Sequence, residues 1–260
     1  MEMTKDELLL SRRFVDLSMQ AQHKGLVTFS NFLNLNELNI FQRTISKLYG
    51  DYEMSGGIEF LERQMIAFLP DALNYGIENP KEPLLDFPIA CLKIRPKSNA
   101  FSDVLTHQDV LGSIMHLGLE RNKIGDILLD DSIVYLFCQK NISQFILDEL
   151  TKIKRTAIYS ELIIPKDLNI KPNFELTEGI ISSNRLDSVT ACICHISRTE
   201  AVTCIKNGKV FIQNREMKSC SYECKETDII SVRTHGRFRY LGCIGETRKG
   251  RIKIQYEIYK

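Results

Sequence analysis

The sequence lacks the features that commit a chain to a membrane, to secretion or to nucleotide chemistry. Among its 260 residues no run approaches the ~20 consecutive apolar residues of a spanning helix. The start, Met1-Glu2-Met3-Thr4-Lys5-Asp6, is acidic and polar, unlike a secretory leader. Membrane insertion and secretion are not expected, and the chain is expected in the cytoplasm. There is no Walker or dinucleotide loop: Gly242-x-x-Gly245 is followed by neither Lys-Ser/Thr nor a helical pattern. The eight cysteines have no regular spacing, which suits reduced thiols better than a disulfide framework. Cys192-x-Cys194 and Cys220-x3-Cys224 invite a four-thiolate zinc reading, but residues two apart on a helix diverge, and zinc pairs sit on turns. Small buried thiols are expected instead, with no metal and no cofactor. The five histidines, His23, His107, His116, His195 and His235, show no ligand or nucleophile spacing.

What is present is an ordinary globular composition, 43% hydrophobic and 26% charged, in a chain long enough for two or three domains of ~100 residues. The formal net charge of +1 hides an asymmetry: residues 1–85 carry −4, 86–180 carry −2 and 181–260 carry +7. A basic final third on an acidic body is what a chain shows when one module meets a polyanion and the rest does not. A solvated lysine-rich face has the same charge count.

Along the chain, Thr4-Lys5-Asp6-Glu7 reads as a capping box that opens a helix carrying Leu10, Phe14, Leu17 and Ala21 and ending at Lys24-Gly25. A second helix is expected after Asn36, with Leu38, Phe41, Ile45 and Leu48 on one face. Two strands divided by Ser55-Gly56-Gly57 complete a small mixed α/β domain over residues 1–85. Asn79-Pro80-Lys81-Glu82-Pro83 marks a boundary, since two prolines forbid helix. Residues 86–172 then read as strand Ile89–Ile94, a helix from Thr106 to Gly118, strands Ile127–Asp130 and Ile133–Phe137, a helix over 142–151 and a strand over 157–164. The β-α-β-β-α-β order is that of ferredoxin-like and RNA-recognition-motif (RRM) folds. Base stacking on this sheet is not favoured, because its central strands offer only Tyr135 and Phe137 among aliphatic residues. Residues 165–173, bracketed by prolines, read as a second linker, with the last module starting near Ser182.

In that last module, over 181–260, Ser183 to Asp187 can cap a short helix carrying Leu186, Val189, Ala191 and Ile193. Ser197-Arg198-Thr199-Glu200 caps another with Ala201, Cys204 and Ile205 inward, and Lys209 to Ile212 is a strand. A helix start with a hydroxyl and an adjacent arginine suits phosphate, and Arg185, Arg198, Lys206 and Lys209 are expected along one edge. The run Arg185-Leu186-Asp187, Ser197-Arg198-Thr199-x-Ala201, Ile205, Gly208-Lys209-Val210, Asn214 and Asp228 to Val232 resembles the alpha-L RNA-binding domain first recognised in ribosomal protein S4. Together with Thr106 to Gly112, Leu117 to Arg121, Lys123 to Ile127, the tails Arg233 to Phe238 and Gly245 to Arg251, and Gly57, Glu62 and Arg63, the chain resembles the YlmH family of bacterial RNA-binding proteins over essentially its whole length.

The resemblance implies a non-catalytic RNA binder on the large (50S) ribosomal subunit, contacting ribosomal RNA and tRNA in ribosome-associated quality control. A monomer is expected, with room for a ribosome-associated protein partner on the first two domains. The fold class expected is thus α+β in three modules: mixed N-terminal, RRM-like and S4-type. The RNA-binding residues expected are Arg185, Ser197, Arg198, Thr199, Lys206, Lys209, Arg233, Gly236, Arg237, Arg239, Lys249 and Arg251. Arginines fork two phosphate oxygens, lysines act as point charges, and Gly236 admits close backbone approach. These cations are expected to converge on one continuous surface that neutralises about six phosphates. Two alternatives stand beside this. Asn184-Arg185-Leu186-Asp187-Ser188-Val189-Thr190 also resembles the loop of RNA pseudouridine synthases in which the aspartate is the nucleophile, though Asn184 replaces its glycine. The other is a protein-interaction adaptor delivered to RNA by its C-terminal domain.

Overall fold

The computed structural model describes residues 4–58, 61–71, 85–98, 105–165, 174–233 and 235–259. The expected linker 79–83 lies outside them, as does all of 165–173 except Pro165. The architecture is α+β, and contacts group the chain into two compact units, Met1–Lys171 and Pro172–Lys260. Among the described residues no helix is long and apolar enough to cross a membrane.

The first unit opens with helix α1 (Lys5–Lys24), whose start is the expected capping box. The Thr4 N–H donates to the Glu7 carboxylate at 2.8 Å, and the Glu7 N–H donates to the Thr4 hydroxyl at 3.3 Å. The antiparallel strands β1 (Thr28–Phe29), β2 (Tyr52–Ser55) and β3 (Met65–Phe68) form a sheet in the order β1-β3-β2. Helix α2 (Leu35–Thr44) starts earlier than the sequence suggests, because Asn34 caps it through the N–H groups of Asn36 and Glu37. It also stops earlier: Ile45–Lys47 is a 3-10 turn, so Ile45 and Leu48 reach the core from outside the α-helix. Phe14, Phe41 and Phe68 fill this core, Phe14 and Phe41 edge to face at 5.3 Å.

The same unit continues with β4 (Ile89–Pro96), α3 (His107–His116), β5 (Ile124–Asp130), β6 (Ile133–Gln139), α4 (Lys140–Glu149), the short β7 (Lys152–Ile153) and β8 (Thr156–Ile163). The sheet order is β5-β6-β4-β8-β7, every pairing antiparallel. The expected β-α-β-β-α-β order therefore closes as a ferredoxin-like sheet, with its first and third strands central. One face packs Leu92, Ile94, Val134 and Leu136 under Val110 and Ile114 of α3 and Ile146 of α4.

The opposite face is the one on which an RRM stacks bases, and here the chain covers much of it itself. Ile58 and Leu61 pack on Cys91, Tyr135 and Phe137, leaving Phe137 fully buried and Tyr135 6% exposed. Their rings are closed to a base. The covering segment is tied down by charge: the N–H groups of Glu62 and Arg63 donate to Asp126 Oδ2 at 2.6 and 3.0 Å. The Arg63 guanidinium, largely buried, donates to the carbonyls of Ile124, Phe32 and Arg121 at 2.9, 3.1 and 3.3 Å. Gly57, Glu62 and Arg63, which carried part of the family resemblance, thus hold two sheets together.

The second unit is one antiparallel six-stranded sheet with two helices on one face. Its elements are β9 (Phe174–Ile181), α5 (Leu186–Ile193), α6 (Arg198–Lys206), β10 (Val210–Ile212), β11 (Arg215–Glu216), β12 (Ile229–Val232), β13 (Gly236–Glu246) and β14 (Ile252–Tyr259). They are ordered β11-β10-β12-β13-β14-β9. Strand β9 is absent from the sequence reading, which started the module near Ser182. It pairs with β14 along its whole length as an edge strand, and only Ile181 of its side chains is fully buried. An edge strand with one face in water shows little hydrophobic periodicity. Leu186, Val189, Ile193 and Ile205 of the helices pack on Val210, Ile230, Phe238, Tyr240, Ile254 and Tyr256 of the sheet. Asn184 does not cap α5. Its amide donates to the Cys224 carbonyl at 2.7 Å and accepts from the Tyr240 hydroxyl at 2.7 Å.

Gly57 sits at φ 114°, and an added Cβ would meet the Phe137 ring at 2.8 Å, so it needs both an unusual backbone conformation and open space. Gly57→Ala is expected to lower stability by about 2–3 kcal/mol. The check is the urea unfolding midpoint; an unshifted midpoint would refute this account of how Gly57 seats against Phe137.

Candidate nucleic-acid interface

The basic C-terminal unit is organised around a carboxylate. Asp187, in the first turn of α5, is 4% exposed. Its Oδ1 accepts from Arg185 Nε at 3.2 Å, and its Oδ2 accepts from Arg198 at 3.0 Å from Nε and 2.9 Å from the terminal nitrogen. Burial pushes the Asp187 carboxyl up. The hydrogen bonds and charges of Arg198 and Arg185 more than offset this, so its net position is below the usual carboxylate range. Each arginine retains about half of its side-chain exposure, 45% for Arg185 and 51% for Arg198. The result is two guanidinium groups pinned side by side at the starts of α5 and α6, with donors left over for a polyanion.

The start of α6 is not the open phosphate site that the sequence suggests. The Ser197 hydroxyl donates to Glu200 Oε2 at 2.8 Å and accepts from the Glu200 N–H at 3.2 Å, while the Ser197 N–H donates to the same carboxylate at 2.9 Å. The capping box closes this helix start on itself, and Glu200 stands where an anion would. What this end offers a phosphate is the guanidinium of Arg198; Thr199 is exposed beside it.

The remaining predicted residues separate by strand pleat. Phe238 and Tyr240 of β13 face the helices, so Arg237 and Arg239, which alternate with them, face the opposite side. There Arg237 lies 5.2 Å over Tyr259, and Arg239 lies 4.6 Å over Phe174 and 3.2 Å from Glu257. Arg233 lies 5.1 Å over Phe211 on that same face. Lys209 adjoins Arg233 through a backbone hydrogen bond of 2.9 Å. Lys206 ends the nine-residue helix that Arg198 begins, which separates them by about 12 Å along the axis. Lys249 stands exposed between β13 and β14. Gly236, at φ 117°, is required by backbone conformation rather than crowding, since an added Cβ would meet nothing closer than 3.8 Å. Arg251 lines a shallow cleft together with Arg198. The single continuous surface expected from the sequence is therefore not formed. Arg185, Arg198 and Arg251 gather on the helix side, while Arg233, Arg237 and Arg239 lie over aromatic rings on the far face.

The chemistry of the alternatives meets this geometry directly. A nucleophilic aspartate needs a free oxygen at the substrate, and both oxygens of Asp187 are held by arginines in a nearly closed site. Burial pushes the thiols of Cys194 and Cys224 up to about 12, which keeps their sulfurs protonated. Among the described residues no group of three or more His, Cys, Asp or Glu is placed to hold a metal. One pair escaped the sequence reading: Arg95 on β4 lies 5.0 Å over the ring of Tyr159 on β8, both exposed, on the uncovered end of the ferredoxin-like sheet. Only strand register joins residues this far apart in sequence.

Asp187→Asn preserves shape and removes the charge, and at neutral pH it is expected to lower stability by about 1–2 kcal/mol, since both arginines are partly screened by water. A carboxylate with a lowered folded-state pKa contributes above its unfolded value of ~3.9 and loses that contribution as pH falls through the folded value. The stability difference between wild type and Asp187→Asn should therefore close as pH drops below ~4 in denaturant titrations. A difference that stays constant into strong acid would sink the clamp.

Comparison with known proteins agrees with the sequence resemblance. Residues 82–164 match a family model described as "Putative RNA-binding domain in YlmH". Over 261 aligned residues the chain is 28% identical to the ribosome-associated protein quality control protein P2 of Bacillus subtilis (strain 168), covering 98% of this chain and 96% of that protein. The solved structure of cell division protein ylmH from Streptococcus pneumoniae aligns at 21% identity and a TM-score of 0.49, over 66% of this chain and 98% of that one. The chain is thus similar over nearly its whole length to the Bacillus protein, and the ferredoxin-like part of its first unit is the part that matches the RNA-binding domain described for YlmH.

Proposed function

We propose that the protein is a non-catalytic RNA binder that acts in the cytoplasm on the large ribosomal subunit and its tRNA, in ribosome-associated quality control. Its second unit serves as an S4-type RNA-binding module. The observation that carries this reading is the Asp187 clamp, which fixes two half-exposed guanidinium groups at adjacent helix starts. A buried carboxylate that makes no use of its own charge beyond holding cations is a device for presenting them. The quality-control role rests on the similarity to the Bacillus ribosome-associated protein quality control protein. The remaining predicted lysines, Lys206, Lys209 and Lys249, supply further point charges away from the clamp. The first two sequence-defined domains, over 1–85 and 86–172, leave room for a protein partner, and the protein acts as a monomer.

The division of arginines between two faces makes this reading testable by salt. Affinity for ribosomal RNA should fall steeply with rising salt, each neutralised phosphate adding roughly 0.7–0.9 to the slope of log affinity against log salt. Arg198→Gln is expected to reduce that slope by about one phosphate. Arg239→Gln, whose side chain is engaged with Glu257 and two rings, is expected to leave it unchanged. Filter-binding isotherms over a salt series decide: a flat wild-type series, or loss of slope at Arg239 rather than Arg198, would overturn the assignment.

A further inference from the structure

Beside the clamp, the second unit has a cleft of about 370 Å³, at the small end of the range for sites that enclose one small molecule. Its walls have two kinds of chemistry. Ala191, Cys192 and Ile196, all partly exposed, form an apolar side. Arg198 and Arg251 also line it; Asp187, which holds Arg198, does not, and no other carboxylate does. Arg251 has no ion pair among the described residues, although it is the first residue before β14 and could have met an acidic neighbour there. Ser182 and Ser188 stand between the two sides with their hydroxyl oxygens 3.3 Å apart. One hydrogen suffices for that contact, so the pair keeps a second donor and spare lone pairs.

Two guanidinium groups at one concavity, Arg198 sharing its charge with Asp187 and Arg251 with no ion pair among the described residues, favour an anion there. An apolar wall next to them favours a ligand that also has a flat or greasy part. A bare phosphate would leave Ile196 and Ala191 wet, and an aliphatic ligand would leave Arg251 unmatched. A nucleotide with an unstacked base satisfies both, its phosphate between Arg198 and Arg251 and its base against the apolar side. Unpaired bases in bulges and loops are also the cheapest to deliver, because they have already lost their pairing.

On the reading that this unit binds RNA, we infer that the cleft receives a single unpaired nucleotide extruded from the bound RNA. The protein then distinguishes a bulged helix from a continuous one, rather than counting phosphates alone.

The test uses the full chain and three hairpin RNAs of one stem sequence: fully paired, with one bulged nucleotide, and with an abasic bulge that keeps the extra phosphate. Wild type is expected to bind the bulged hairpin about tenfold more tightly than the paired one, the abasic bulge losing most of that gain. Ala191→Phe, at a partly exposed helix position, fills the cleft and leaves every cation in place. It should abolish the preference while binding the paired hairpin within about twofold of wild type. Equal wild-type affinity for paired and bulged hairpins, or full preference retained by the abasic bulge, would overturn the inference and leave RNA binding standing. Failure to bind any of the three would overturn both.

Discussion

A buried aspartate holding two arginines is the interaction on which the basic end of this molecule depends. Asp187 occupies a core position in the first turn of α5, so its place is fixed by the packing of Leu186 and Val189 beside it. A carboxylate buried alone would be strongly unfavourable. Here each oxygen accepts from a different arginine, and both arginines keep about half of their side-chain exposure. Two mobile surface cations become fixed ones, so part of the entropy cost of ordering them for a ligand is met in folding. Arg198, eleven residues after Asp187, takes the second oxygen and leaves neither oxygen of this aspartate without an arginine.

Net charge proved a coarse guide to where those cations act. The final third carries +7, yet the pleat of β13 sends Arg237 and Arg239 to the face away from the helices. There the rings of Tyr259 and Phe174 lie under them and Glu257 pairs with Arg239. Cation–π contacts of this kind contribute about 0.5–1 kcal/mol each at exposed sites. These arginines brace the edge strand β9 against β14, since Phe174 and Tyr259 are register partners across that pair.

In the first unit the constraint is coverage. A ferredoxin-like sheet has one face for its helices and one that must be either wet, bound or covered. Ile58 and Leu61 cover the part holding Tyr135 and Phe137, and the guanidinium of Arg63, with three carbonyl acceptors, locks the cover in place. The part of this face left open carries Arg95 and Tyr159 instead. With Tyr135 and Phe137 closed off, base stacking of the RRM kind has no aromatic platform on that part of the sheet.

The local decisions were readable from the sequence because they rest on residues three or four apart. The Thr4–Glu7 and Ser197–Glu200 capping boxes, the helix faces of Phe14 and Ala201, and the β-α-β-β-α-β order follow from near-neighbour hydrogen bonds and periodic apolar residues. The family resemblance lay in the same motifs. Tertiary structure alone decided which sheet face is covered, that Phe174–Ile181 is a strand, that Asp187 gives each oxygen to a different arginine, and that Arg251 shares a cleft with Arg198. Each of these depends on register or on contacts between segments far apart in sequence. A pattern of alternation tells a strand which side chains share a face, but not which partner strand lies beside it or what covers that face.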